Sequence, residues 1–211
     1  TFFIRKVLKK AKKNKKVKNE HDHLIFDIKI KYREWFSIIG AAVIFSLAIS
    51  YTYMSNKINT LNLILVTMFA NLLIYFVRNI IRLYIDKKHE NHTEYNFWIF
   101  GSLLTIVSGY LGNTFSLAGF VLTDKKDNAG KTNYIINLVT FLFGIIFLTL
   151  NIFVATKFVQ MTSFSLISIS FLNMIPIGPM GGQNVFKWNK LKWTVLFVPI
   201  LIVYVFVNLV V

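Results

Sequence analysis

Apolar runs of about 20 residues recur along this chain, and few folds accommodate them. A helix needs roughly 20 apolar residues to cross the hydrocarbon core of a bilayer. Residues 35–54 read WFSIIGAAVIFSLAISYTYM, with aromatic residues at both ends, as the two membrane interfaces favour. Comparable runs lie at 61–85, 134–155, 158–175 and 193–211, the first of these turning charged near its end at Arg78 and Arg82. With 55% hydrophobic and only 16% charged residues over 211, the chain is too apolar for an ordinary soluble domain. The expectation is an all-α integral membrane protein with about five transmembrane helices.

A sixth apolar run, residues 97–122, carries Gly101, Gly109, Gly112 and Gly119. Four glycines suit tight turns and close backbone approach better than a lone lipid-facing helix. The charge pattern points the same way. If this run enters and leaves on one side, all of the 24 Lys/Arg except Lys57 and Lys157 fall on the inner side. If it crosses, Lys125, Lys126, Lys131, Lys187, Lys190 and Lys192 join Lys57 outside. The excess of Lys and Arg on cytoplasmic loops favours the first arrangement, a glycine-rich re-entrant segment.

Residues 1–34 form a basic tail with 12 Lys/Arg against Glu20, Asp22, Asp27 and Glu34, and residues 35–211 form the polytopic domain. The tail core, KKAKKNKKVK, reads as a cytoplasm- or matrix-facing segment held by anionic lipid headgroups. Contact with nucleic acid is the alternative, without aromatic interleaving or a recognisable fold to support it. No small-residue cleavage site follows the first span, which reads as a retained anchor. The Lys/Asn/Ile/Phe-rich usage fits an AT-rich genome, and the expected setting is an archaeal plasma membrane or an organelle (mitochondrial) inner membrane. The absence of cysteine excludes disulfides and thiolate chemistry. Of the four histidines, none lies inside an apolar run; His89, Glu90 and His92 sit in a polar loop, where histidines are solvated far more often than metallated. Asn137, Asn151, Thr140 and Ser170 read as helix–helix hydrogen-bonding partners rather than catalysts. No Gly-x-Ser-x-Gly supports a serine hydrolase.

One stretch breaks the pattern. FLNMIPIGPMGGQNVFKWN, residues 171–189, sets Pro176 and Pro179 beside Gly178, Gly181 and Gly182. Proline removes a backbone donor, and irregular backbone at membrane depth is tolerated only where protein buries it or a cavity adjoins it. Here the sequence resembles the site-2 protease family of intramembrane zinc metalloproteases, whose late helix ends in a motif close to N-x-x-P-x-x-P-x-D-G. Asn173, Pro176, Pro179 and Gly182 match it, NVFKWNKLKW resembles the tail seen in an archaeal branch, and NAGKTN, with Ala129, Gly130 and Asn133, resembles an upstream A-G-P-x-x-N segment. The resemblance covers roughly residues 30–211 and implies a site-2-protease-like core.

It also implies that the chemistry is missing. The family binds zinc through the two histidines of H-E-x-x-H, one helical turn apart, and through the aspartate of the late motif, with the glutamate as general base. The resemblance places those positions on Arg78, Asn79, Ile80, Ile81 and Arg82, and on Gly181. Arginine offers only donors and stays protonated, so it cannot ligate zinc. Asparagine cannot take and return a proton as a carboxylate does. The expectation is a catalytically inactive protein with no cofactor and no metal. Arg78 and Arg82 then read either as anchors snorkelling to the interface or as a pair binding an anionic headgroup or a partner's carboxylate. Arg78, Arg82, Asn133, Asn173, Pro176, Pro179 and Gly182 are the candidates for partner or lipid contact. The expected function is to bind or assemble transmembrane partners in a hetero-oligomeric complex; the alternative is an accessory subunit of a large membrane assembly. An active zinc protease would need His89, His92 and a carboxylate to build a new site.

Overall fold

The computed structural model describes residues 23–25, 28–30, 32–52, 60–89, 93–112, 114–123 and 126–210. Residues 9–18, Lys57, Glu90, His92 and Lys125, which carried several of the sequence expectations, lie outside them. The chain divides into two compact units, Thr1–Tyr32 and Arg33–Val211. In the first, strands β1 (His23–Ile25) and β2 (Ile28–Ile30) pair antiparallel with His23 opposite Ile30.

The second unit is built from helices. Helix α1 (Tyr32–Thr52) opens at its boundary and is followed by α2 (Thr60–His89). Strand β3 (Thr93–Phe97), helix α3 (Ile99–Tyr110) and strand β4 (Gly119–Thr123) come next. Then come α4 (Lys126–Phe153), α5 (Lys157–Met174), α6 (Gly181–Trp188) and α7 (Lys190–Val210). Among the described residues, four helices are long and apolar enough to cross a membrane: Tyr32–Thr52, Leu61–Lys88, Asn128–Phe153 and Lys190–Leu209. They mark a helical membrane protein.

Helix α5 corresponds to the run at 158–175 and is not one of these four. Its 18 residues include Gln160, Thr162, Ser163, Ser165, Ser168 and Ser170, and every residue from 161 to 170 is buried by protein. It packs against α2, α4, α6 and α7. A helix buried all round needs no lipid-facing stripe, which explains how it carries so many hydroxyls. Thr162 and Ser170 turn theirs onto the carbonyls of Phe158 and Leu166 in their own helix. Thr140 does the same to Ile136, so among the described residues the hydrogen bonds of Thr140 and Ser170 run within their own helices.

Helices α1 and α2 meet along a polar seam. The Ser46 hydroxyl lies 3.2 Å from Thr67 O, Ser50 bonds Thr67 through their hydroxyls, and the Asn71 amide donates to Ser46. Interhelical bonds of this kind hold helices together where lipid supplies no hydrophobic contrast. Beside the seam, Phe45 and Ile49 of α1 pack with Ile74 of α2 and with Phe164 and Ile167 of α5 in one core cluster. A second cluster joins Phe141, Met174, Val185, Leu196 and Ile200.

The run at 97–122 is an excursion that closes on itself. Strands β3 and β4 are antiparallel, with Phe97 opposite Gly119 and Thr93 opposite Thr123. The chain leaves β3, runs out along α3, turns at Gly112 with φ +80°, and returns beside its starting point. Helix α3 lies hard against α1. A Cβ on Gly109 would sit 2.6 Å from the Ala48 carbonyl oxygen, and the Thr52 hydroxyl donates to Gly109 O at 3.1 Å.

Two boundaries differ from the sequence reading. The apolar run at 134–155 predicts a helix starting near Tyr134, yet helix α4 starts at Lys126, eight residues earlier. Packing overrides local propensity here, because Gly130 seats this end of α4 against Trp188 and the Asn184 carbonyl of α6. Likewise residues 93–96, read as the end of a polar loop, form strand β3 with Phe97 because β4 returns to pair with it.

Candidate functional site

Arg78, Asn79 and Arg82 share one stretch of α2. Residues four apart project from the same helix face, so the two guanidinium groups enter one region of the protein. There they line a cavity of about 40 Å³ together with Tyr75, Tyr95, Ser116 and, from the end of α5, Asn173. The Arg78–Arg82 stretch of α2 and Asn173, the first residue of the late motif, therefore line one cavity. The closed hairpin supplies much of the remaining wall, through Gly119, Phe120 and Val121.

Arg82 is 2% exposed and fixed from within the chain. Its Nη2 donates to Glu34 Oε1 at 2.8 Å, and Glu34, in the first turn of α1, is itself 5% exposed. The same carboxylate oxygen accepts the Tyr95 backbone N–H at 2.8 Å. One carboxylate thus ties α1, α2 and β3 together. Arg82 does not snorkel to the interface, and its charge is matched by a residue counted as part of the solvated tail. Nε and Nη1 of Arg82 and Oδ1 of Asn79 have no hydrogen-bond partner among the described residues.

Arg78 differs from Arg82. It is half-buried and has no ion-pair partner among the described residues. Its one hydrogen bond is long, Nη2 to Asn137 Oδ1 at 3.4 Å. Asn137 is oriented by its own amide, which donates to Asn133 O at 2.9 Å. Of Asn137, Asn151, Thr140 and Ser170, Asn137 is the one with a hydrogen bond to another helix among the described residues. On its other side Arg78 edges an apolar groove of about 240 Å³, whose walls include Leu73 and Val77 of α2 and Phe143 and Phe147 of α4.

The tyrosines complete the wall. Tyr75 and Ser116 bond through their hydroxyls at 2.6 Å, and the Tyr75 and Tyr95 rings meet edge to face at 6.2 Å. Burial, with Tyr75 adding to it, holds the Tyr95 phenol well above its ordinary range against the opposing pull of Arg78 and Arg82. It stays a neutral donor.

The Pro/Gly stretch is ordered by packing from both sides. Helix α5 ends at Met174, whose carbonyl accepts the Trp193 indole N–H at 2.8 Å. The chain then turns through residues 175–180, with a cis Gly178–Pro179 peptide, into α6. Gly182 faces the Met174 carbonyl too closely for any side chain. Asn173 donates to Ile169 O in its own helix. Pro176 is exposed, whereas Pro179 lines a smaller hollow of about 10 Å³ with Asn173 and Trp98. Gly181 does not line the main cavity. A Cβ there would meet Asn133 Oδ1 at 2.9 Å, so Gly181 and Asn133 belong to the α4–α6 contact.

The residues around the cavity do not fit a zinc ion. Two guanidinium groups line it, the one carboxylate in contact with them is engaged by Arg82 and Tyr95, and cationic donors repel rather than ligate a metal. Among the described residues, no three His, Asp or Glu side chains group where they could hold a metal.

No protein-family model, curated protein or solved structure matches this chain.

Proposed function

We propose that the chain is a catalytically inactive membrane protein on a site-2-protease-like core, and that it serves to assemble transmembrane partners. The observation that carries this reading is the state of Arg82. A residue that the resemblance places at a zinc-ligand position is instead bound to an internal carboxylate, which favours a role in holding the fold over one in chemistry. The order of elements supports the same core: a helix bearing the Arg78–Arg82 stretch, then a glycine-rich excursion, then a central helix ending in the Pro/Gly turn. In this reading the excursion between β3 and β4 is the re-entrant segment, α5 is a fifth, protein-buried crossing, and the tail and the Lys88 end of α2 share the inner side.

The resemblance allows two forms: a pseudoenzyme that receives unwound client helices in its old cavity, or an accessory subunit of a fixed complex. The size of the cavity favours the second. About 40 Å³ holds a few water molecules at ~10–15 Å³ each, not a peptide segment. Meanwhile the outer faces expose Leu61, Phe69, Phe100, Phe153, Phe206 and Leu209, which lipid or neighbouring helices would cover. The partners are then transmembrane proteins packed on these faces, with anionic lipid at the tail. Purification in mild detergent tests this. Recovery in one complex of fixed stoichiometry is the expected result; recovery with a varied set of single-span clients would favour the helix-binding pseudoenzyme.

A further inference from the structure

We propose that the cavity beside Arg78 is a binding site for one small monovalent anion of about the size of chloride. The proposal stands on charge, donor count and volume, and does not depend on the chain assembling partners. Arg82 is matched by Glu34, whereas Arg78 has no ion-pair partner among the described residues, so the walls carry one excess positive charge. Arg78 lies eight residues before Asp86, about 12 Å along the helix at 1.5 Å per residue, within the apolar part of α2. An uncompensated charge at that depth is costly and calls for a counter-charge.

The donors are already in place. Nε and Nη1 of the fully buried Arg82 are without partners among the described residues, and Arg82 lines this cavity. Tyr75 and Ser116 share one hydrogen bond between two hydroxyls, so one hydroxyl proton is left over. Among the fully buried side-chain atoms of the wall, the acceptor left without a partner is Asn79 Oδ1. Water alone brings no charge. A single anion accompanied by a water bridging to Asn79 answers both the charge and the unused donors, and about 40 Å³ accommodates that pair. Larger organic anions do not fit, and cations are repelled.

Thermal unfolding of the full chain in non-ionic detergent tests this, comparing sodium bromide or chloride with sodium gluconate at equal ionic strength. The expected result is a saturable rise in Tm with the halide that gluconate does not reproduce. Arg78→Leu should raise the half-saturating halide concentration at least about tenfold, the scale of one lost charge-assisted hydrogen bond. Arg33→Leu, at an exposed position, should leave it unchanged. Diffraction from wild-type crystals soaked in bromide decides the matter even if Arg78→Leu does not fold, with an anomalous peak expected between Arg78 and Arg82. Equal Tm in both salts, a halide effect that survives Arg78→Leu, or an empty cavity in bromide would overturn the proposal. So would a lipid headgroup found at Arg78 by way of the apolar groove.

Discussion

Glu34 and Arg82 carry opposite charges out of contact with water, and that fixes how each responds to substitution. A buried ion pair contributes little net stability compared with apolar residues of similar size, yet removing one partner leaves the other charged and unmatched. Arg82→Met alone should therefore destabilise the protein by ~3–5 kcal/mol, and Glu34→Leu by a similar amount. The double variant should recover most of that loss, because neither charge is left behind. Thermal unfolding of the three proteins in one detergent reads the coupling; simple additivity would mean the pair is not a unit. Glu34 was not legible as a site residue. It stands one position before the first apolar run, counted with the acids of the basic tail, and nothing in one sequence marks it as the partner of a residue 48 positions later. The convergence of Arg78, Asn79 and Arg82 with Asn173 was what the resemblance implied; spacing alone put only Arg78 and Arg82 on one face of α2. That Arg82 would be neutralised, and Arg78 left without a carboxylate among the described residues, depended on α1, whose first turn the sequence hides in the tail.

At the scale of elements, contacts between backbones decide where helices begin and end. Helix α6 exists because Gly182 lets it start against the last carbonyl of α5 and because Gly130 gives Trp188 a seat on α4. Gly182→Ala should cost ~1–3 kcal/mol by overpacking rigid backbone. Gly178→Ala should cost much less, since its Cβ would meet only the end of the flexible Gln183 side chain at 3.2 Å. Equal losses for the two variants in a thermal melt would contradict this account of the turn. Apolar runs made the membrane helices legible to within a few residues at most ends. Strand β3 and the first two turns of α4 were hidden, because their residues are polar and only the returning chain supplies their partners.

For the whole molecule, charge and connectivity make the same prediction. Phe97 and Gly119 lie opposite each other, so a chain that leaves β3 is brought back to it. In the proposed topology, a reporter inserted between residues 124 and 125 appears on the same side of the membrane as the basic tail. Its appearance on the opposite side would mean that the excursion crosses. The helical membrane architecture was legible in outline because hydrophobic length is a property of long segments. The identity of the central helix was not, since α5 reads as one more apolar run and only its neighbours bury it. The central claim is that this core works without metal chemistry, its site residues turned to holding the fold. Metal analysis of the purified full chain, by elemental mass spectrometry after chelator-free purification, tests it most directly. The account predicts zinc far below one equivalent per chain, unaffected by His89→Ala. One zinc per chain that disappears in His89→Ala would contradict it.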